Sequence, residues 1–262
     1  MITNQAANAE RYLTSGIDRI FIDLERLGKP ERQAASGGFI SDHSVEDIPV
    51  VKKVTGKKPL LVRINPIHAE TAVEIDRVIG YGADIIMLPM FRSWRELQFV
   101  IDHIDERCLF CPLVETISGC QTILSSNDEQ LGLLDEIYFG LNDLHLELNL
   151  RFMFSALLDP LVLETVVRTS EASVKFGFGG LSTTGSLDPE DVITLHAKYG
   201  SSLVILSRGF RENYKDTGDN ELRKKLSVMR DCWTTLTNDE VGLSVGFDKV
   251  VRKIGLIEND LL

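Results

Sequence analysis

The stretch CLFCPLVETISGCQTILSSNDEQLGLLDEIYFGLND, residues 108–143, reads as strand, helix, strand. The first strand, CLFCPLVE, ends on Glu115, and the second, EIYFGLND, ends on Asp143. Both are apolar runs whose last residues turn acidic, the pattern of strands covered on both faces that open on solvent at one end. In parallel α/β barrels catalytic groups sit where strands end, so two carboxylates arriving there are candidate ligands for a hard divalent cation. The same two residues also suit the starts of the helices that follow, as caps.

Outward from this unit the alternation continues in both directions. Upstream, residues 1–4 are a very short first strand, and a helix over about 5–15 ends at Gly16, the residue most at home just past a helix end. IDRIFIDLE (17–25) follows as a strand with Asp23 and Glu25 on one face, then a loop rich in Gly, Ser and charge over 26–44. A helix over 45–55 leads to PLLVRIN (59–65), where Arg63 and Asn65 share a face. A helix over 69–81, the strand ADIIMLPM (83–90) and a helix over 93–104 lead back to residue 108.

Downstream of Asp143, residues 145–172 are helical around Pro160, and KFGFGGL (175–181) is a strand. A helix over 188–199 has Asp188 as its N-cap and Pro189 in its first turn, and a strand lies within SSLVILSRGF (201–210). Residues 219–237 form a charged amphipathic helix, with at least one more short element after it. About eight strands, each followed by a helix, predict a closed (β/α)8 barrel; an open doubly wound sheet is the alternative. The expected organisation is one domain over residues 1–262, with 219–262 a C-terminal helical extension.

Composition narrows the function classes. The chain has 262 residues, 44% hydrophobic and 26% charged, as ordinary globular proteins do. It contains no 18-residue apolar run, which predicts no membrane span. The start, MITNQAANAERYL, has no basic segment followed by an apolar one, so no secretory signal is expected. A net charge of -11 disfavours nucleic acid as a partner. Four cysteines in this length do not make a disulfide framework. Cys108 and Cys111, three apart on a strand, point to opposite faces and are expected to pack rather than react. The expected setting is reducing and cytoplasmic.

Asp23/Glu25, Arg63/Asn65, Glu115 and Asn142/Asp143 all lie at strand ends, and in a barrel such ends converge on one mouth. Two acidic ligands with an arginine suit a 2-oxo acid: the carboxylates hold a divalent ion that the substrate chelates, and the arginine stabilises an enolate oxygen. An internal salt-bridge network would leave the same residues in the same places.

The ordered set FIDLE (21–25) with Lys29 and Arg32, VRIN (62–65), GADIIMLP (82–89), ETISG (115–119), FGLNDL (139–144) and LSRGF (206–210) resembles the HpcH/HpaI aldolase/citrate lyase family of the phosphoenolpyruvate/pyruvate barrel superfamily. The resemblance implies a (β/α)8 barrel with Glu115 and Asp143 as metal ligands for magnesium, manganese or cobalt. It implies Arg63 as the enolate-stabilising arginine and backbone amides around Leu141 and Asn142 as the seat of the substrate carboxylate. It also implies a homo-oligomer, a trimer or hexamer, in which a C-terminal helix packs on a neighbouring subunit. Residues 219–237 are the candidate for that helix, with packing on its own barrel the alternative.

The sequence departs from the family pattern at Arg26. Pyruvate-dependent aldolases of the family carry a histidine directly after the DxE motif, and acyl-CoA lyases an acid. A guanidinium stays protonated at working pH and cannot be a base, so Arg26 is read as a substrate-binding residue or as the partner of a nearby acid. The general base then falls to His43 in the Gly/Ser loop or His145 just past Asp143, with His68 and a metal-bound hydroxide behind them. His103 and His196 fall on outer helices and are expected to be structural. Lys29 sits in a polar loop unsuited to a Schiff-base lysine. GFGGLSTTG (177–185) lacks the lysine and spacing of a P-loop. Arg208 ends the last strand, at the mouth or a subunit contact.

The function expected from this set is a metal-dependent carbon–carbon lyase that cleaves a 4-hydroxy-2-oxo acid to pyruvate and an aldehyde, or runs the reverse addition. A citrate-lyase or malyl-CoA type of thioester lyase is the alternative enzyme. A non-catalytic barrel that binds or assembles is the alternative of another class.

Overall fold

In the computed structural model of the chain the described residues are 1–28, 41–182 and 186–260, excepting the side chains of Arg208 and Asp260. Seven parallel strands pair in sequence order: β1 (Ile20–Asp23), β2 (Leu60–Arg63), β3 (Ile85–Leu88), β4 (Leu109–Val114), β5 (Glu136–Phe139), β6 (Lys175–Leu181) and β7 (Leu203–Leu206). An open doubly wound sheet reverses its strand order part way, and this one does not. The strands are apolar because both faces are covered. Ile20, Ile22, Val62, Ile86, Val114 and Phe139 pack outward against helices. The alternate positions Phe21, Leu61, Ile85, Met87, Leu113 and Tyr138 form a separate inner cluster within the curl of the sheet.

The expected count of eight strands is not met among the described residues. Residues 1–4 make a single bridge, Ile2 to Phe21. It is flanked by Thr3 N–H donating to Phe21 O (3.1 Å) and Phe21 N–H donating to Met1 O (3.0 Å). Helix α1 (Ala6–Thr14) begins two residues after Asn4, which leaves too little extended chain for a ladder.

The crossovers are helical: α2 (Asp47–Thr55), α3 (Thr71–Gly80), α4 (Trp94–Ile104), α5 (Ile117–Ser125), α6 (Asp128–Leu131), α7 (Leu141–Glu147), α8 (Pro160–Glu171) and α9 (Pro189–Tyr199). Their ends follow local chemistry. Ser93 and Glu96 close a capping box on α4, and Asp188 with Asp191 does the same for α9 ahead of Pro189. Gly200 ends α9 at φ +72, a conformation that favours glycine.

After β7 come α10 (Arg208–Tyr214), α11 (Asp219–Thr237) and α12 (Glu240–Asp260). The tail is thus a long helix where only a short element was expected; it contains no proline to stop it. Helix α11 packs on its own chain. Leu222, Leu226 and Met229 are buried, Arg11 pairs with Asp219 at 2.9 Å, and Arg230 pairs with Asp18 at 2.8 Å. Cys108 packs with the outer core and Cys111 with the inner cluster, on the opposite faces expected, and both are free thiols. Among the described residues no helix is long and apolar enough to cross a membrane.

Candidate active site

The strand C-terminal ends surround a cavity of about 720 Å³ whose lining includes Asp23, His43, Arg63, Glu115, Asn142 and Asp143. Register explains the first contact. Asp23 and Arg63, the last residues of β1 and β2, are paired across the ladder. Arg63 Nε donates to Asp23 Oδ1 at 2.8 Å and Nη2 to Oδ2 at 2.7 Å, a two-pronged pair. Nη1 lies 3.3 Å from Glu25 Oε2, and the Phe21 ring sits beneath the guanidinium at 5.7 Å. Burial works to lower the pKa of Arg63, but Asp23 and Glu25 outweigh it and hold it above the ordinary value.

Glu115 follows β4 directly and is 3% exposed. Met90 N–H donates to its Oε1 at 3.0 Å, from a backbone turned by a positive φ of 55 at Met90. Burial first, then the charges of Asp143 and Glu25, push its carboxyl well above the usual carboxylate range; Arg63 and the Met90 amide pull the other way. Gly140, which follows β5, leaves room for this side chain: a Cβ there would lie 2.7 Å from Glu115 Cβ and 2.8 Å from Oε2. The next residues, Leu141 to Asp143, open α7 and line the same cavity, Leu141 fully buried and Asn142 exposed.

The donor set fits a hard divalent cation. Glu115 is a buried carboxylate whose ionised form is opposed by two neighbouring carboxylates, and a cation would relieve that repulsion. The ligating atoms are oxygens, which suit magnesium or manganese rather than a soft metal. No cluster of three or more His, Cys, Asp or Glu with metal-binding geometry occurs among the described residues. An ion held by the carboxylates of Glu115 and Asp143 would complete its shell with water or substrate.

The histidines divide. His43 is 4% exposed and lines the cavity, and its Nδ1 accepts from Asp23 N–H at 3.0 Å. A neutral ring held this way carries its proton on Nε2, so it presents a donor rather than a base. Burial keeps its pKa below the ordinary value, against the pull of Asp23. His145 is not among the cavity-lining residues; its Nδ1 bonds to Leu141 O within α7 at 3.1 Å. The structure thus places neither His43 nor His145 as a ready base. His68 bonds Glu74 at 3.0 Å, away from the cavity. His103 bonds Phe99 O on its own helix. His196 sits on the buried face of α9, stacked against Phe178.

Arg26 also turns away from the large cavity. Its Nη2 donates to the carbonyl of His43 at 3.0 Å, and it lines a smaller neighbouring cleft together with Asn65. Asn65 is a brace: its Oδ1 accepts the Arg26 and Leu27 amides, and its Nδ2 donates to Glu74. The shared face expected for Arg63 and Asn65 is not kept beyond the strand end. Lys29, Arg32, residues 183–185 and the Arg208 side chain lie outside the described residues. Sequence reasoning missed Asp23 as the partner of Arg63, although its place at a strand end marked it. It also missed Arg211 of α10 and Lys215 just past its end, both lining the cavity, for which no sequence signal existed.

The chain matches no protein-family profile and no curated protein. Its fold is shared with solved structures. The HpcH/HpaI aldolase from Desulfitobacterium hafniense DCB-2 aligns with a TM-score of 0.57 at 15% identity, over 85% of this chain and 90% of that one. The citrate synthase SbnG aligns at 0.57 and 17%, over 88% and 92%. An HpcH/HpaI aldolase/citrate lyase family protein from Burkholderia cenocepacia J2315 aligns at 0.62 and 13%, over 87% and 91%. The chain therefore has the fold of HpcH/HpaI aldolase/citrate lyase family proteins over most of its length.

Proposed function

We propose that this protein is a metal-dependent carbon–carbon lyase that cleaves a 4-hydroxy-2-oxo acid to pyruvate and an aldehyde, or joins them. The observation that carries the reading is the buried Glu115, opposed by the charges of Asp143 and Glu25 beside a cavity that Arg63 also lines. Glu115 and Asp143 would hold magnesium, manganese or cobalt. The ion, when bound, supplies Lewis-acid polarisation of the 2-oxo group.

Arg63 is fixed by Asp23 before substrate arrives, and an arginine has five N–H donors. Asp23 and Glu25 engage three of them, so two are left for the oxygen that gains charge as the carbon–carbon bond breaks. The amides around Leu141 and Asn142 would seat the substrate carboxylate. His43 would offer Nε2–H to the substrate. Closure of the seven-stranded sheet into a (β/α)8 barrel, with residues 1–4 as the eighth strand, is part of the same proposal, and a homo-oligomer would cover Val241, Val245 and Leu256, which α12 leaves exposed.

One observation favours a second reading, a barrel that binds without reacting: the Arg63 fork is already engaged by two carboxylates of its own chain. Solvent deuterium exchange into the methyl group of pyruvate, followed by mass spectrometry with added magnesium or manganese, separates the two. A lyase gives metal-dependent exchange that Glu115→Gln and Arg63→Lys each slow by about 100-fold or more. Metal binding with no exchange on pyruvate sinks the aldolase reading.

A further inference from the structure

Glu115 and Asp143 enter the large cavity from β4 and from the residues after β5, the middle of the sheet. Another wall is built where the two ends of the sheet approach each other. Ile2 bridges to Phe21 of β1, and Arg211, on the helix after β7, directs Nη1 at the Ile2 carbonyl at 3.4 Å. In a curled sheet the ends face the middle, so this wall stands across the cavity from the two carboxylates.

Helix α1 completes the wall. Arg11 ties it to the end of α10, donating to Lys215 O at 2.8 Å and to Tyr214 O at 2.9 Å. The next residue, Tyr12, lines the cavity and is 2% exposed. Its hydroxyl has no hydrogen-bond partner among the described residues, yet it is not closed off. The buried side-chain atoms there that are both sealed and unpartnered are Ser15 Oγ and His196 Nε2. The Tyr12 hydroxyl therefore opens on the cavity with its proton unspent, and so does His43 Nε2–H on the same grounds. Donors on rings so buried are costly to leave without an acceptor.

The nearby charges select that acceptor. The charge of Arg211 reaches both rings: it opposes the rise that burial gives the pKa of Tyr12, and it adds to the fall that burial gives that of His43. Glu212 lies 3.6 Å from Arg211 but 2.8 Å from Lys215, so the nearer lysine takes most of its charge. Asp47 is engaged by Asn4 and the Ser44 amide, and Asp42 is exposed. Two neutral donors beside a guanidinium fit an anionic oxygen group. One guanidinium balances the single charge of a carboxylate better than the nearly double charge of a phosphate.

We propose that Tyr12 and Arg211, with His43 beside them, form a subsite for a second carboxylate, carried at the end of the substrate remote from its 2-oxo acid. This inference rests on the lyase reading and deepens it: the aldehyde half of the substrate is itself an oxo acid, and Tyr12 and Arg211 determine that specificity.

The test reads binding, which does not depend on turnover. The full chain loaded with manganese is titrated calorimetrically with 2-oxoadipate and 2-oxopimelate. The matched probes are 2-oxohexanoate and 2-oxoheptanoate, which have the same lengths and lack the second carboxylate. At least one diacid should bind about tenfold or more tightly than its match. Arg211→Gln should bring that ratio to about one. Tyr12→Phe, which keeps the ring and removes only the unpartnered hydroxyl, should cut it by about threefold or more. Lys224→Gln, the same change of charge at an exposed position of α11, should preserve it. Equal affinities within both pairs, or a preference that survives Tyr12→Phe and Arg211→Gln, overturn the subsite and leave the 2-oxo acid site standing. Failure of all four acids to bind sinks the lyase reading, and the subsite with it.

Discussion

Arg63 holds Asp23 through two parallel hydrogen bonds, 2.8 Å from Nε and 2.7 Å from Nη2, and the two residues are partners across the β1–β2 ladder. The pair is nearly dry, with side-chain exposures of 16% and 7%. Removing the cation alone would take two charge-assisted hydrogen bonds from the buried Asp23 and the 3.3 Å ion pair from the buried Glu25. Arg63→Met should therefore cost about 3–5 kcal/mol of stability, the scale for breaking one side of a buried pair. Adding Asp23→Asn to that variant should recover part of the loss. Urea unfolding of the two single variants and the double gives the coupling directly. A coupling near zero would mean that the pair is not formed in solution.

Metal binding makes a separate prediction. With Glu115 ionised only against the repulsion of Asp143 and Glu25, a divalent ion that binds the folded chain should raise its melting temperature. At an ion concentration 100 times the dissociation constant, the gain is about 2.7 kcal/mol. Glu115→Gln should abolish the response to magnesium and manganese while leaving the metal-free protein folded. Differential scanning calorimetry with and without chelator reads both; an equal response in the variant would place the ion elsewhere.

His196 sets a pH dependence far from the proposed active site. Burial lowers its pKa from 6.5 to about 3 in the folded chain. A group depressed on folding contributes stability that is present above its unfolded pKa and lost as pH falls through the window below it. Between pH 6.5 and about 3, His196 should therefore cost the folded state up to about 1.4 kcal/mol for each pH unit of acidification. His196→Phe should flatten that slope relative to the parent chain in urea titrations at stepped pH. Parallel slopes for both proteins would show that the imidazole is hydrated rather than buried.

Much of this architecture was legible because buried parallel strands are written as apolar runs. IFID, LLVR, IIML and EIYF each lie where their hydrophobicity places them, and Gly200 and Asp188 mark helix ends by local chemistry. The eighth strand was less legible because four residues cannot show periodicity, and they pair only through Ile2. At the site, strand-end polarity found Asp23, Arg63, Glu115 and Asp143, since a charged residue ending an apolar strand has few places to go but the mouth. Side-chain direction beyond the strand end was not legible. Arg26 and Asn65 follow the turn of the loop and point into another cleft, and His145 is one helical step round from the cavity. The burial of His196 was not legible, because the sequence of α9 does not say which face meets the sheet.

Gly140 offers the sharpest separation of site from fold. It follows β5, and its φ of -86 is open to any L-residue, so Gly140→Ala costs no backbone strain. The added methyl would meet Glu115 Cβ at 2.7 Å and Oε2 at 2.8 Å, distances that force the carboxylate to move. Leu113 Cδ1 at 3.3 Å narrows the space for it to move into. Gly140→Ala should thus weaken divalent-ion affinity by about tenfold or more while lowering stability by about 1–3 kcal/mol, the usual cost of overpacking. Isothermal titration with manganese on the folded variant reads the first quantity, and urea unfolding with chelator reads the second. Unchanged affinity in a folded Gly140→Ala chain would show that the ion does not depend on where Glu115 is held, and the two-carboxylate site would fail with it.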